Sequence, residues 1–203
     1  YTLSFWQFVT AVEASAAPDE AGRTLHQCHE ILRGFALPLP PLAILTESLT
    51  LLETLRQRGL FAADTLQLLQ GHLSSSLKVL REFPHQPLHG DAHPGNLMNT
   101  TGGLLWTDWE DTFSGPVEWD LASLIWNARI LDEDHATADR MLQAYQQNGG
   151  RIDRDALQHS LIARAAVMSA WYPVLYPNPD EERRRKLQRR LDWLSALQPE
   201  GAG

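Results

Sequence analysis

Apolar residues return at helical spacing over most of this chain. Ala21, Leu25, Cys28 and Leu32 share a face after Pro18, whose fixed φ suits a first helical turn, and Gly34 ends the pattern. The spacing predicts a helix over 18–33. The run Leu37-Pro38-Leu39-Pro40-Pro41 cannot continue it and reads as a loop. Two leucine stripes follow: Leu45, Leu49, Leu52 and Leu55 up to Gly59, then Leu66, Leu69, Leu73, Leu77 and Leu80 up to Pro84. Both read as core faces of helices. Beyond Gly115-Pro116 the helical period resumes at 117–131, 134–148, 153–172 and 180–197, broken by Gly149-Gly150 and by the stretch Pro173 to Pro179. In the last of these, Leu187, Leu191, Leu194 and Leu197 form the stripe expected to be buried.

Between these blocks the period shortens. Pro87-Leu88-His89, Asn96-Leu97-Met98-Asn99 and Leu104-Leu105-Trp106-Thr107 read as short strands, the last two joined as a hairpin across Thr100-Thr101-Gly102-Gly103. Residues 1–9, aromatic and partly alternating, carry a strand signal without a partner nearby in sequence. The expected fold class is therefore mainly α with a small β hairpin, an α+β domain, ending in a frayed tail at 199–203.

Composition narrows the setting. The 203 residues suffice for a sizeable core, and no apolar run is long enough to cross a membrane. The first thirty residues lack the basic start and hydrophobic stretch of a signal peptide, so a cytoplasmic setting is expected. The single cysteine, Cys28, cannot form an internal disulfide and reads as a small core residue. Formal charge is −8, and residues 180–192 hold six Lys/Arg against four Asp/Glu, so the remainder is still more acidic. That argues against a nucleic-acid partner and leaves room for steering of a cationic small molecule. The run Arg183-Arg184-Arg185-Lys186, interleaved with acids, reads as a solvated helix face.

Candidate chemistry concentrates in His89-Gly90-Asp91-Ala92-His93-Pro94-Gly95-Asn96, followed by Thr107-Asp108-Trp109-Glu110. Two carboxylates and a carboxamide on neighbouring turns suit phosphoryl transfer, in which a protein orients a hydroxyl and holds Mg²⁺ against phosphates. Asp91 is placed to accept the hydroxyl proton, and Asn96 and Asp108 offer hard oxygen ligands. Alternatively, Asp91 only shapes the turn. His89, expected to hydrogen-bond backbone, and His93 also allow a zinc-hydrolase reading with Asp91, although Pro84, Pro87, Gly90 and Pro94 rule out the helix that would align them. Asp120, early in the 117–131 helix, serves either the helix dipole or the N–H groups of the catalytic loop. Glu110 faces solvent or a cationic substrate.

Taken together, His89-Gly-Asp91-x-x-x-x-Asn96, Asp108-Trp-Glu and Gly115-x-x-x-x-Asp120-Leu-Ala resemble the aminoglycoside phosphotransferase and choline kinase group of the protein-kinase-like superfamily. The resemblance implies Asp91 as catalytic base, Asn96 and Asp108 as Mg²⁺ ligands, Asp120 and His89 as supports of the loop, and ATP or another nucleoside triphosphate as co-substrate. It makes residues 1–17 the last strand and hinge of an amino-terminal lobe, with Phe8 and Val9 at the adenine, and 18–198 the helical carboxy-terminal lobe. The phosphate loop and its lysine have no counterpart here, since Lys78 and Lys186 lie in helical patterns. The expectation is a chain lacking that lobe, completed in cis or trans, inactive alone, or else a non-catalytic helical binding or regulatory module. The acceptor would be a small-molecule alcohol such as an aminoglycoside, choline or a sugar. His93, Glu110, Trp126, Asn127, Trp171 and Tyr172 are its candidate pocket.

Overall fold

Trp119 through Ile125 form a stretch with no exposed side, which places α4 (Glu118–Leu131) at the centre of the fold. A helix apolar all round must be covered by neighbours. The computed structural model describes residues 8–36 and 38–197. Around α4 lie α1 (Pro18–Leu32), α2 (Ala43–Gln57), α3 (Ala63–Leu80), α5 (His135–Gln147), α6 (Arg154–Ala170), α7 (Tyr172–Leu175) and α8 (Glu181–Ala196). α6 packs on α3 and α4, and α1 on α5. Gly22 permits the last contact, because a Cβ there would strike the Met141 carbonyl. Among the described residues, no helix is long and apolar enough to cross a membrane.

The leucine stripes become the core. Leu25, Leu45, Leu69, Leu73 and Leu80 are fully buried, each worth roughly 2 kcal/mol of transfer free energy. In α8 the buried positions are Arg190 and Leu194, while Leu187, Leu191 and Leu197 are half-buried. The run 183–185 is exposed.

Strands are few and short. β2 (Leu97–Thr100) and β3 (Gly103–Trp106) form the expected hairpin, in register from Leu97 opposite Trp106 to Thr100 opposite Gly103. The other edge of β2 takes a distant segment: Val12 N–H donates to Asn99 O at 2.8 Å and Thr101 N–H to Thr10 O at 3.0 Å. Residues 8 and 9 are not in a strand; residues 1–7 of that expected strand lie outside the described residues.

Three other expectations are corrected. The strand at 87–89 shrinks to β1 (Gln86–Pro87), paired with β4 (Ser114–Gly115), because the N–H groups of His89 and Gly90 turn to a side chain instead of a strand. Asn96 belongs to a 3₁₀ turn, Pro94–Asn96, that precedes β2. The helix over 153–172 ends at Ala170, and Pro173 enters the first turn of the separate α7, where its missing N–H is not needed.

Candidate active site

The turn after β1 is organised from below by one carboxylate. Asp120 is fully buried on α4, and its Oδ2 accepts the His89 N–H at 2.9 Å while Oδ1 accepts the Gly90 N–H at 2.9 Å. His29 of α1 adds a third partner, with Nε2 3.1 Å from Oδ2 and Nδ1 2.9 Å from the Tyr145 hydroxyl. Such multiple satisfaction is what a buried carboxylate requires. Gly90 sits at φ +89°, a conformation few other residues tolerate, and its carbonyl accepts the Trp119 indole N–H at 2.6 Å. His89 donates from Nε2 to Thr107 O at 2.9 Å and accepts the Asp91 N–H at Nδ1 at 3.3 Å. Both ring nitrogens are committed to backbone in this arrangement and neither is turned to His93 or to the Asp91 carboxylate; among the described residues, no His, Cys, Asp and Glu side chains gather as a three-ligand cluster.

That turn delivers Asp91 beside Asn96. The Asn96 Nδ2 donates to Asp91 O at 3.0 Å and to Asp91 Oδ2 at 3.3 Å. Its Oδ1 has no hydrogen-bond donor among the described residues. The hairpin then sets Thr107 against Asn96, with Thr107 N–H and hydroxyl both donating to Asn96 O, at 2.9 and 3.1 Å. Asp108 follows at once. It occupies the left-handed region, φ 65° and ψ 63°, and its exposed carboxylate makes no hydrogen bond or ion pair to a described residue. Aspartate tolerates this region better than most non-glycine residues, and Leu42 and Asp132 adopt it at helix ends elsewhere in the chain. The donor chemistry fits a hard divalent cation: a free carboxamide oxygen and an uncommitted carboxylate, both oxygen.

Charges nearby shape the protonation states. Burial alone would raise the Asp91 carboxyl, but the Arg164 charge and hydrogen bond, aided by His93 and His89, hold it below the usual carboxylate range. Asp111 is pushed above that range by desolvation and by the negative charges of Asp91 and Asp108. Desolvation and the Arg164 and His89 charges lower His93, whose Nδ1 accepts the Gly95 N–H at 3.0 Å and whose Nε2 lies 3.5 Å from Asp91 Oδ2.

A family model described as APH, the phosphotransferase enzyme family, matches residues 4–159. The chain belongs to that family. Its structural neighbours agree on the fold. Choline kinase LicA from Streptococcus pneumoniae superposes with a TM-score of 0.68 at 18% identity, over 89% of this chain and 64% of its own. Amicoumacin kinase hAmiN gives 0.69 at 15%, over 90% and 59%. An ethanolamine kinase from Plasmodium vivax gives 0.65 at 12%, over 96% and 66%. The chain thus spans about 60% of the length of the first two of these. Comparison with curated protein sequences returned no match.

Seen as a phosphotransferase-family fold, the chain has an apolar cleft of about 720 Å³ beside Asp108. Val9, Met98, Leu105, Trp106, Thr107, Trp109 and Glu110 line it. Val9 therefore shares this cleft with Asp108, whereas Phe8 stands 89% exposed and is not among the residues that line the cleft. Of the acceptor-pocket candidates, His93 adjoins Asp91, and Trp126 and Asn127 share a small hollow with Pro94 of the 3₁₀ turn before β2. Trp126 and Tyr172 both present ring faces to the Arg190 guanidinium, 6.0 Å away. Trp171 is elsewhere engaged, its indole N–H donating to Ser48 of α2 at 2.9 Å.

Sequence reasoning missed two contributors to the site. Arg164 of α6 is an ion-pair partner of the Asp91 carboxylate, and the stretch 160–179 contains no other charged residue, a signal that this side chain had to find a partner. His29, in the last turn of α1, is the other. Its bond to Tyr145 joins residues 116 positions apart, which no local pattern announces.

Proposed function

We propose that the protein carrying this chain transfers the γ-phosphoryl group of Mg-ATP to the hydroxyl of a small-molecule alcohol. The hydroxyl oxygen bonds to the γ-phosphorus, the bond to the β,γ-bridging oxygen breaks to release ADP, and the hydroxyl proton passes to Asp91. One observation carries this reading: the Asp91 carboxylate and the Asn96 carboxamide meet on a turn whose N–H groups are clamped by buried Asp120, with Asp108 set beside them by the hairpin.

Each residue then has a task. Asp91 orients the hydroxyl and takes up its proton. Asn96 and Asp108 would hold Mg²⁺, which when bound supplies positive charge to the phosphate oxygens. Asp120 and His89 keep the turn in register before substrate arrives, so little reorganisation is left for the reaction. The cleft lined by Val9, Met98, Leu105 and Trp106 offers an apolar face to a nucleotide base. The AMP-PNP and Ca²⁺ named with amicoumacin kinase and the AMP named with LicA support a nucleotide and a divalent cation here.

The test is phosphate transfer from labelled ATP to a panel of amino, choline-like and sugar alcohols, with and without Mg²⁺. Asp91→Asn should lower kcat about 10³-fold while the melting temperature is kept. Unchanged turnover in that variant would remove Asp91 from the mechanism.

A further inference from the structure

Arg164 stands apart from the residues assigned so far. Its side chain is 7% exposed, on the mid-portion of α6, a helix otherwise built at that level from Ala163, Ala165, Ala166 and Val167. Its Nη2 is the ion-pair partner of Asp91 Oδ1. Nη1 lies 3.5 Å from the Gly90 carbonyl, and the guanidinium carbon stands 5.8 Å from the centre of the Trp119 ring. The same Trp119 donates to the Gly90 carbonyl, so arginine and tryptophan grip the catalytic turn from one side.

The ends of the Asp91 carboxylate are thereby distinguished. Oδ1 is taken by Arg164, and Oδ2 faces Asn96 Nδ2 at 3.3 Å and His93 Nε2 at 3.5 Å. A planar guanidinium fixes the direction of a carboxylate in a way a point charge cannot. The arrangement also has a cost to folding. Arg164 Nε is buried without a hydrogen-bond partner, so this side chain is not placed for its own satisfaction.

Resting on the reading of Asp91 as the residue that receives the acceptor hydroxyl, we propose that Arg164 is its positioning residue. Arg164 fixes Oδ1 so that Oδ2 is the oxygen presented to the acceptor. The device reaches across 73 residues of sequence, tying the catalytic turn to α6.

Two measurements test this, one of which does not depend on turnover. In a crystal structure of the Arg164→Ala chain, the Asp91 carboxylate should rotate away from its present direction; an unmoved Asp91 side chain overturns the proposal whether or not the protein is a kinase. In steady-state assays of the whole protein, Arg164→Ala should lower kcat about 100-fold, the scale of a misplaced catalytic group, with KM for Mg-ATP unchanged. Added guanidinium ion should restore at least about tenfold of that loss, and Arg164→Lys should fall between the two. Wild-type kcat in Arg164→Ala, or a loss expressed only in KM, overturns the assignment. A lowered melting temperature without guanidinium rescue makes the role structural and also overturns it. If Arg164→Ala does not fold, Arg164→Lys decides: turnover equal to wild type refutes the need for a planar partner. Equal activity of wild type and Asp91→Asn refutes instead the function on which this rests, while the crystallographic result stands.

Discussion

Replacing Asp120 by asparagine should loosen the turn at His89 and Gly90 measurably at one amide. The carboxylate accepts three bonds: Gly90 N–H at Oδ1, and His89 N–H with His29 Nε2 at Oδ2. An amide keeps one oxygen. Placed where Oδ2 was, that oxygen retains two partners, and the new NH₂ meets the Gly90 N–H donor to donor. Losing a bond to a charged acceptor and leaving that N–H buried costs about 2 kcal/mol locally. The two surviving bonds pass from a charged to a neutral acceptor and weaken as well. Global stability shifts less than this, because removing a buried charge also removes its desolvation cost.

The local term is therefore the one to measure. Hydrogen exchange of the Gly90 amide, followed by NMR, should quicken about 30-fold, the equivalent of about 2 kcal/mol. His89 should change less, and amides in the middle of α6 should hold their protection. Equal exchange at Gly90 in both proteins would refute the claim that Asp120 supports the turn. So would a uniform rise across α4 and α6, which would mean that the whole fold had weakened.

Three further outcomes are expected. Gly90→Ala forces a Cβ at φ +89° into the Asp111 carbonyl, and the strain, about 3 kcal/mol or more, should lower the melting temperature by roughly 10 °C in a calorimetric scan. Cys28 is buried, its thiol pushed up to about 12 by desolvation and by the Asp120 charge, so a disulfide reagent at about pH 8 should label it only after unfolding; rapid stoichiometric labelling of the folded chain would contradict this. Burial raises the Glu118 carboxyl despite the Asp153 N–H it accepts at 2.8 Å, and a raised folded value gives stability at low pH that is lost as pH climbs through it. Glu118→Gln should thus gain melting temperature over wild type as pH rises from about 4 to about 8, and a gain that shrinks with pH would reverse the sign of the argument.

The helices were readable because leucine and alanine recur at intervals set by backbone geometry, and the boundaries follow proline and glycine that sequence displays directly. The turn that brings Asp91 to Asn96 was readable as a candidate site for a related reason, since Asp91, Asn96 and Asp108 lie close in sequence. What escaped was made by tertiary packing. β4 spans two residues, too short for any period to register. The strand expected at 87–89 was cut short by Asp120, whose side chain competes with a strand for the same N–H groups. Of the two readings open for Asp120, a dipole partner or an acceptor for the loop, only coordinates could show the second bond pattern. Arg164 did leave a trace, as a lone charge within an apolar stretch, but nothing in the stretch names its partner 73 residues earlier.

On the proposed function, the Arg164 pair bears on what kind of base Asp91 can be. A carboxyl held below its usual range is a poor proton acceptor in the resting state, and an alcohol is a far weaker acid than any carboxylic acid. Full deprotonation before attack is therefore not the task this geometry supports. A loose transition state asks less, because the hydroxyl becomes acidic only as its oxygen bonds to phosphorus. Before that moment the useful property of Asp91 is direction, an acceptor oxygen fixed toward the hydroxyl, and direction is what the arginine, the asparagine and the clamped turn supply together. On the proposed function, a substitution that strengthens Asp91 as a base by removing Arg164 should slow the reaction, since it trades orientation for basicity.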